Sequence, residues 1–170
     1  MVTDLVQIRM LGEKKRQENL RFRTFMKSRD HSDRILRRIA QGVEDEVDCT
    51  ICANCCRVAT ATVKERDVEH LARFLRISEA RFLAEYTTDS EDEGRILRRT
   101  DAEGCVFLSG NECTVYEARP DACQRFPHVV RGNGSIASRM WQFVDRACYC
   151  PIVYNSLEAF KEEMGYRNHA

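Results

Sequence analysis

Four cysteines fall within one short stretch, Cys49, Cys52, Cys55 and Cys56, and five more follow at Cys105, Cys113, Cys123, Cys148 and Cys150. Thiolates two residues apart in a tight turn can face one centre, which is why Cys-x2-Cys recurs wherever proteins hold metal ions. The spacing therefore predicts metal chelation, and two kinds of centre compete. Zinc sites usually gather two Cys-x2-Cys pairs into a four-thiolate tetrahedron. Here the first run reads Cys-x2-Cys-x2-Cys, and the remote Cys150 is followed directly by Pro151. Spacing of that kind holds iron–sulfur clusters in ferredoxin-type runs. Iron, alone or as a cluster, and zinc both stay open, with the Cys-Pro tilting the reading toward iron. Neighbouring side chains in an extended segment point apart, so Cys55 and Cys56 are expected to serve different centres. Two sites, or one site plus a redox pair, follow from that.

Other reactive residues add less. His31 and His169 lie in polar segments expected to be exposed, His70 falls on the polar side of a helix, and His128 after Phe126-Pro127 is a reserve ligand. A nucleophilic cysteine would need a nearby histidine and a free thiol of low pKa. Nothing in the spacing singles one out, and no glycine-rich nucleotide loop is present, so the reading is against an enzyme. Tyr116, Arg119, Arg125 and Phe126 lie between or beside the cysteines. Guanidinium groups there would offset thiolate charge while the aromatics exclude water. The competing expectation pairs Arg119 with Glu117 or Asp121.

Composition bounds the rest. The chain has 170 residues, with 27 basic and 27 acidic side chains in balance. That argues against a nucleic-acid binder held by net charge. The longest uncharged run, Ala147–Leu157, contains a proline and is too short to span a membrane. No secretory signal is legible at the N-terminus. The odd cysteine count also speaks against a secreted disulfide scaffold, so a cytoplasmic, reducing setting is expected.

The elements that must position these thiols read as α+β. The expectation is a mainly helical single domain with a small β-hairpin element, organised around the cysteine cluster. Residues 1–46 form a helical extension and 47–170 the metal-binding domain. Leu5, Ile8 and Leu11, then Ile35, Leu36, Ile39, Ala40 and Val43, repeat at helical spacing and predict two N-terminal helices. Arg9, Lys14, Lys15, Arg16, Arg21, Arg23, Lys27 and Arg29 face only Glu13 and Glu18 among acids in that stretch. They make either a solvated face or a surface for an acidic protein partner. Thr62 to Glu65 fits a capping box ahead of a helix through Val68, Leu71, Ala72 and Leu75. Ser78 caps a short helix carrying Phe82, Leu83 and Tyr86. Residues 87–94 read as a loop and Arg95–Thr100 as a strand. Cys105–Leu108 and Thr114–Tyr116 flank a turn at Ser109-Gly110-Asn111. A helical turn starts at Arg119-Pro120-Asp121. Gly132-Asn133-Gly134 reads as a hairpin turn before a strand through Ile136–Val144, and a last helix runs Ser156–Met164.

These residues resemble the YkgJ-type cysteine cluster proteins, the CxxCxxCC family of zinc- or iron-chelating domains. The resemblance rests on CTICANCCR (Cys49–Arg57), on the helix around Lys64–Val68, on GCVFLSGNECTVYEARPDACQRFP (Gly104–Pro127) and on Cys150-Pro151. It implies eight ligands, at Cys49, Cys52, Cys55, Cys56, Cys105, Cys113, Cys123 and Cys150, with Cys148 surplus. Gln124 stands where relatives often carry arginine, which the neighbouring Arg125 would offset. The resemblance also implies, by analogy with methylases that carry a related cysteine cluster, an iron–sulfur component in electron transfer or protein modification. Residues 1–45 lie outside it and inherit no function.

Overall fold

A computed structural model describes residues 1–167; His169 lies outside the described residues. The fold is α+β and mainly helical. In chain order come α1 (Leu5–Lys14), α2 (Arg16–Lys27), α3 (Asp33–Asp45), α4 (Cys49–Cys52), α5 (Asn54–Val58), α6 (Glu65–Leu75) and α7 (Glu79–Tyr86). Six short strands follow, β1 (Thr87–Ser90), β2 (Gly94–Leu97), β3 (Arg99–Thr100), β4 (Gly104–Cys105), β5 (Leu108–Ser109) and β6 (Glu112–Cys113). A 3-10 turn (Tyr116–Ala118), α8 (Asp121–Arg125), α9 (Ile136–Arg146) and α10 (Pro151–Glu163) complete the chain. The strands pair two by two and antiparallel, β1 with β2, β3 with β4, and β5 with β6.

The chain clusters into two compact units. One joins Met1–Asp48 to the segment from Phe126 onward, and the other is Cys49–Arg125. In the first unit, α1, α2, α3, α9 and α10 bury Ile8, Phe22, Met26, Leu36, Ile136, Met140, Phe143, Leu157 and Phe160 in one apolar core. Asp4 caps α1 by accepting from the Gln7 amide, and Ser32 and Ser135 do the same for α3 and α9. Asp33, at the start of α3, accepts from the Ile136 amide at 2.6 Å and so fixes the start of α9. Gly12 lies so close to the end of α9 that a Cβ there would stand 2.6 Å from the Ala147 carbonyl oxygen.

In the second unit, α6 and α7 lay Val68, Leu71, Ala72 and Phe82 against Leu97, Phe107, Val115 and Ala118. Phe82, Tyr86 and Phe107 stack in series, with Tyr86 and Phe107 centroids 5.0 Å apart. Cys105 and Cys113 pack on the edge of this core.

Several local expectations are corrected. Three helices, not two, occupy residues 1–46, because Lys15 breaks the helical stretch and lets α2 start at Arg16. The α6 cap is Lys64, whose amide donates to Asp67 Oδ2 at 2.9 Å. Thr62, just upstream, instead bridges to Ile96 as extended chain. Residues 87–90 form a strand rather than loop, paired from Thr87↔Leu97 to Ser90↔Gly94, with Gly94 supplying a positive φ of 72°. Ile136–Val144 is helix rather than strand. Ser135 caps it, and its buried residues recur at Ile136, Met140, Phe143 and Val144, a helical period. The last helix opens at Pro151 in its first turn, well before Ser156.

Candidate metal centre

The cysteine unit presents its thiols from several different elements. Cys49 and Cys52 lie on α4, Cys55 and Cys56 on α5, Cys105 on β4, Cys113 on β6 and Cys123 on α8. Between α4 and α5, Ala53 adopts a left-handed φ of 45° while 4% exposed, so the chain kinks inside the Cys-x2-Cys-x2-Cys run. A non-glycine residue in that region costs about 1–2 kcal/mol, which the surrounding packing must offset.

A set of close approaches draws α5, β4 and the β5–β6 hairpin together. Gly104, with φ 78°, sits on the backbone of Cys56 and Arg57, where a Cβ would meet the Cys56 carbonyl oxygen at 2.7 Å. Only glycine fits both the angle and the space. Arg57 reaches in two directions: Nη1 donates to the Cys52 carbonyl at 3.0 Å, and Nη2 to the Gly110 carbonyl at 3.1 Å and to Asn111. Asn111 returns a hydrogen bond to the Ile51 carbonyl at 2.9 Å. Arg99, paired in register with Cys105, donates to the Arg57 carbonyl at 3.0 Å. The hairpin turn is Gly110-Asn111, with Gly110 at φ 61°.

The electrostatics describe one cluster. Burial pushes up the thiols of Cys105 and Cys113, and each also feels the charge of Cys56. Cys123 is pushed up to about 12, first by burial and then by the charges of Cys105, Cys56 and Cys113. Cys56 goes the other way, held down to about 7 by a hydrogen bond from Cys55 and by the Arg57 and Arg119 guanidiniums. The amide of Phe107 donates to Cys105, and that of Val115 to Cys113, each from two residues downstream, which offsets part of that burial effect. Arg119 lies over the Tyr116 ring, 3.6 Å from guanidinium carbon to centroid, and its buried Nε has no hydrogen-bond partner. Asp121 is taken by Arg125 at 2.7 Å, so the pairing expected for Arg119 goes to the residue four positions after that aspartate.

Of the predicted ligands, Cys55 is hydrogen-bonded to Cys56, and Cys105, Cys113 and Cys123 each feel the charge of Cys56. Cys49 is exposed, while Cys52 and Cys55 are half-buried. Cys150 is buried in the other unit as the residue before α10, where its carbonyl accepts from the Tyr154 amide. Cys148 is buried in that same unit, with Arg16 Nη2 3.4 Å from its sulfur, and burial pushes it up to about 11. His70 is exposed, and His31 Nδ1 contacts the Arg29 carbonyl. His128, at φ 69°, lies edge-on to Phe126. Among the described residues, no three Cys, His, Asp or Glu side chains already surround a common point.

The donor set suits a thiophilic metal. Four thiols from four elements repel one another as thiolates, and an orphaned arginine nitrogen lies among their fields; a cation offsets that repulsion. Residues 48–151 match the CxxCxxCC family, whose description reads "Putative zinc- or iron-chelating domain". The chain belongs to that family. No curated protein and no solved structure shows a match to it. Sequence reasoning missed Arg57, Arg99 and Gly104, which position the thiols without being ligands. Their signal was adjacency, since Arg57 follows Cys56 and Gly104 precedes Cys105.

Proposed function

We propose that this protein chelates iron or zinc through cysteine thiolates and that the metal chiefly holds the cysteine unit together. The donors within the cysteine unit are Cys49, Cys52, Cys55, Cys56, Cys105, Cys113 and Cys123; Cys150, the eighth expected ligand, is buried in the other unit. The observation that carries the reading is that Gly104 seats β4 on the Cys56 carbonyl while Arg57 ties the Cys52 carbonyl to the β5–β6 hairpin, in a segment that matches a zinc- or iron-chelating family. The cysteines of this unit sit on its short helices and two-residue strands, so a metal cross-link between them would contribute folding free energy there. Arg119 and Arg57 act as charge-compensating neighbours rather than ligands. The Cys-x2-Cys-x2-Cys run and the Cys150-Pro151 step support iron, and an iron–sulfur cluster within it.

The setting is a reducing one, the cytoplasm, because clustered thiols persist there. Among the described residues no helix is long and apolar enough to cross a membrane. The basic N-terminal face is partly spent internally, since Lys15 pairs with Glu158 and Arg16 with Glu13 and Asp145. Arg9, Lys14, Lys27 and Arg29 stay exposed as the surface an acidic protein partner would use.

The test is anaerobic purification followed by iron, zinc and acid-labile sulfide analysis on one sample. Iron with equimolar sulfide establishes a cluster and brings forward redox or protein-modification roles. Zinc without sulfide establishes a structural chelate. Absence of metal with all thiols reactive refutes the proposal.

A further inference from the structure

We propose that the surface between α2 and α9, centred on Trp141 and Leu20, docks an acidic polypeptide segment that carries an apolar side chain. This rests on the proposed acidic partner of the N-terminal helices and names where that partner sits.

Ion pairs fix how the helices run. Lys15 pairs with Glu158 and, three residues on in each helix, Glu18 pairs with Lys161, so α2 lies parallel to α10. Residues 147–150 alone join α9 to α10 and the two helices pack together, so α9 runs back along α10 and antiparallel to α2. Arg16, at the start of α2, pairs with Asp145 near the end of α9 and sets the register. Leu20 is four residues further along α2 and Trp141 four residues back along α9, which puts both at one level of the helix pair. Arg23 and Lys27 continue that row of α2 toward the start of α9.

The apolar side chains at this level face solvent. Trp141 is 55% exposed and Leu20 37%, although the other large apolar residues of α2 and α9 lie in or against the core. An exposed leucine is ordinary, but tryptophan is among the side chains that most often carry binding energy at interfaces. Charge says what covers them. Each helix holds one acid, Glu18 on α2 and Asp145 on α9, and these are taken by Lys161 and Arg16. Arg23 and Lys27 enter no ion pair among the described residues, and the neighbouring exposed Gln17, Thr24 and Ser138 are neutral. A surface apolar at its centre and positive along one side fits carboxylates flanking an apolar side chain. Two cations and one indole are too few for the phosphate contacts and successive stacked bases that hold a nucleic acid. Two apolar side chains also fall short of the broad face by which a helix lies in a membrane.

The experiment uses the full chain as purified and, as probe, a glutamate-rich helical peptide with leucine once per turn. Anisotropy of the fluorescein-labelled peptide is expected to report binding that weakens as salt is raised. The unlabelled peptide is expected to shift the emission of Trp141, the single tryptophan, to shorter wavelength and to shield it from iodide. Arg23→Glu with Lys27→Glu, and separately Trp141→Ser, should each weaken binding about tenfold or more, with far-UV circular dichroism and bound metal unchanged. If a variant unfolds, iodide quenching of the unmodified chain decides, and peptide binding that leaves Trp141 open to iodide overturns the proposal. Binding that survives these substitutions but falls with Arg9→Glu and Lys14→Glu overturns this site and keeps an acidic partner elsewhere on the N-terminal helices. A peptide that does not bind refutes both. Binding of polyuridylate or of phosphatidylserine vesicles in place of the peptide also overturns the proposal.

Discussion

Gly104→Ala tests whether the close contact between β4 and the cysteine turn holds the site together. The substitution has two separable effects. Gly104 stands at φ 78°, where an L side chain costs about 1–2 kcal/mol. Its new Cβ would also meet the Cys56 carbonyl oxygen at 2.7 Å and the Arg57 Cα at 2.8 Å. Both are backbone atoms that cannot swing away, and overpacking of this kind costs about 1–3 kcal/mol. The expected total is about 2–5 kcal/mol, a large part of the stability of an ordinary domain. Two other glycines separate the contributions. Gly94, at φ 72° with nothing within 4 Å of an added methyl, carries only the backbone cost on changing to alanine. Gly42, inside α3 with open space around it, should gain about 0.5–1 kcal/mol on the same change. The assay is pulsed alkylation of Cys105 and Cys123 through a urea series on metal-free protein, which reports on the cysteine unit directly. The expected order of midpoints in that unit, from highest to lowest, is unmodified chain, then Gly94→Ala, then Gly104→Ala. A Gly104→Ala midpoint no lower than that of Gly94→Ala would refute the contact as the constraint on Cys56.

Three further expectations concern charge and packing. Arg119→Gln removes a cation that favours the Cys56 thiolate, so the midpoint of Cys56 alkylation against pH should move upward from about 7, and Arg119→Lys should restore part of the shift. An unchanged profile would mean that the Arg119 charge does not reach that sulfur. Metal-free protein should lose stability in alkali: Cys123 keeps its proton when folded up to about 12 and Cys148 up to about 11, against 9.0 ordinarily. Their contribution is therefore complete below pH 9 and falls as pH rises through those folded values. Urea midpoints measured across that range, flattened by Cys123→Ala, check the sign. Gly12→Ala places a Cβ 2.6 Å from both the Ala147 carbonyl oxygen and the Cys148 Cα, and should cost about 1–3 kcal/mol. Urea unfolding followed by the fluorescence of Trp141, the single tryptophan, reads that loss in the helical unit.

The amphipathic helices were legible because their signal is local. Val68, Leu71, Ala72 and Leu75 carry their period in the residues themselves, and Ser78 marks the next start by accepting from the Arg81 amide. Two segments misled for physical reasons. Gly132-Asn133-Gly134 has the composition of a hairpin turn, yet Arg37 occupies the carbonyls around it, donating to Val130 at 2.6 Å and to Gly132 at 3.3 Å. The segment is thereby held as the lead-in to α9. Thr87–Ser90 reads as loop because only Thr87 is buried, and a strand with so little of its length buried carries no apolar alternation to detect.

The site divides along the same line. Spacing reveals that thiols are grouped, since Cys-x2-Cys places sulfurs on one turn whatever the rest of the chain does. Which thiols share an ion is a property of long-range contacts. Gly104 allows β4, which carries Cys105, onto the Cys56 carbonyl, and Arg57 grips at Gly110 the hairpin that carries Cys113. Neither contact leaves a periodic trace. Each leaves a residue whose chemistry is conspicuous only after folding: a glycine at positive φ against backbone, and an arginine bonded to two carbonyls on different elements. An adjacent pair such as Cys55-Cys56 is where the two kinds of information meet. Adjacency alone leads one to expect the two side chains to point apart, whereas the helical turn of α5 leaves the Cys55 thiol hydrogen-bonded to Cys56.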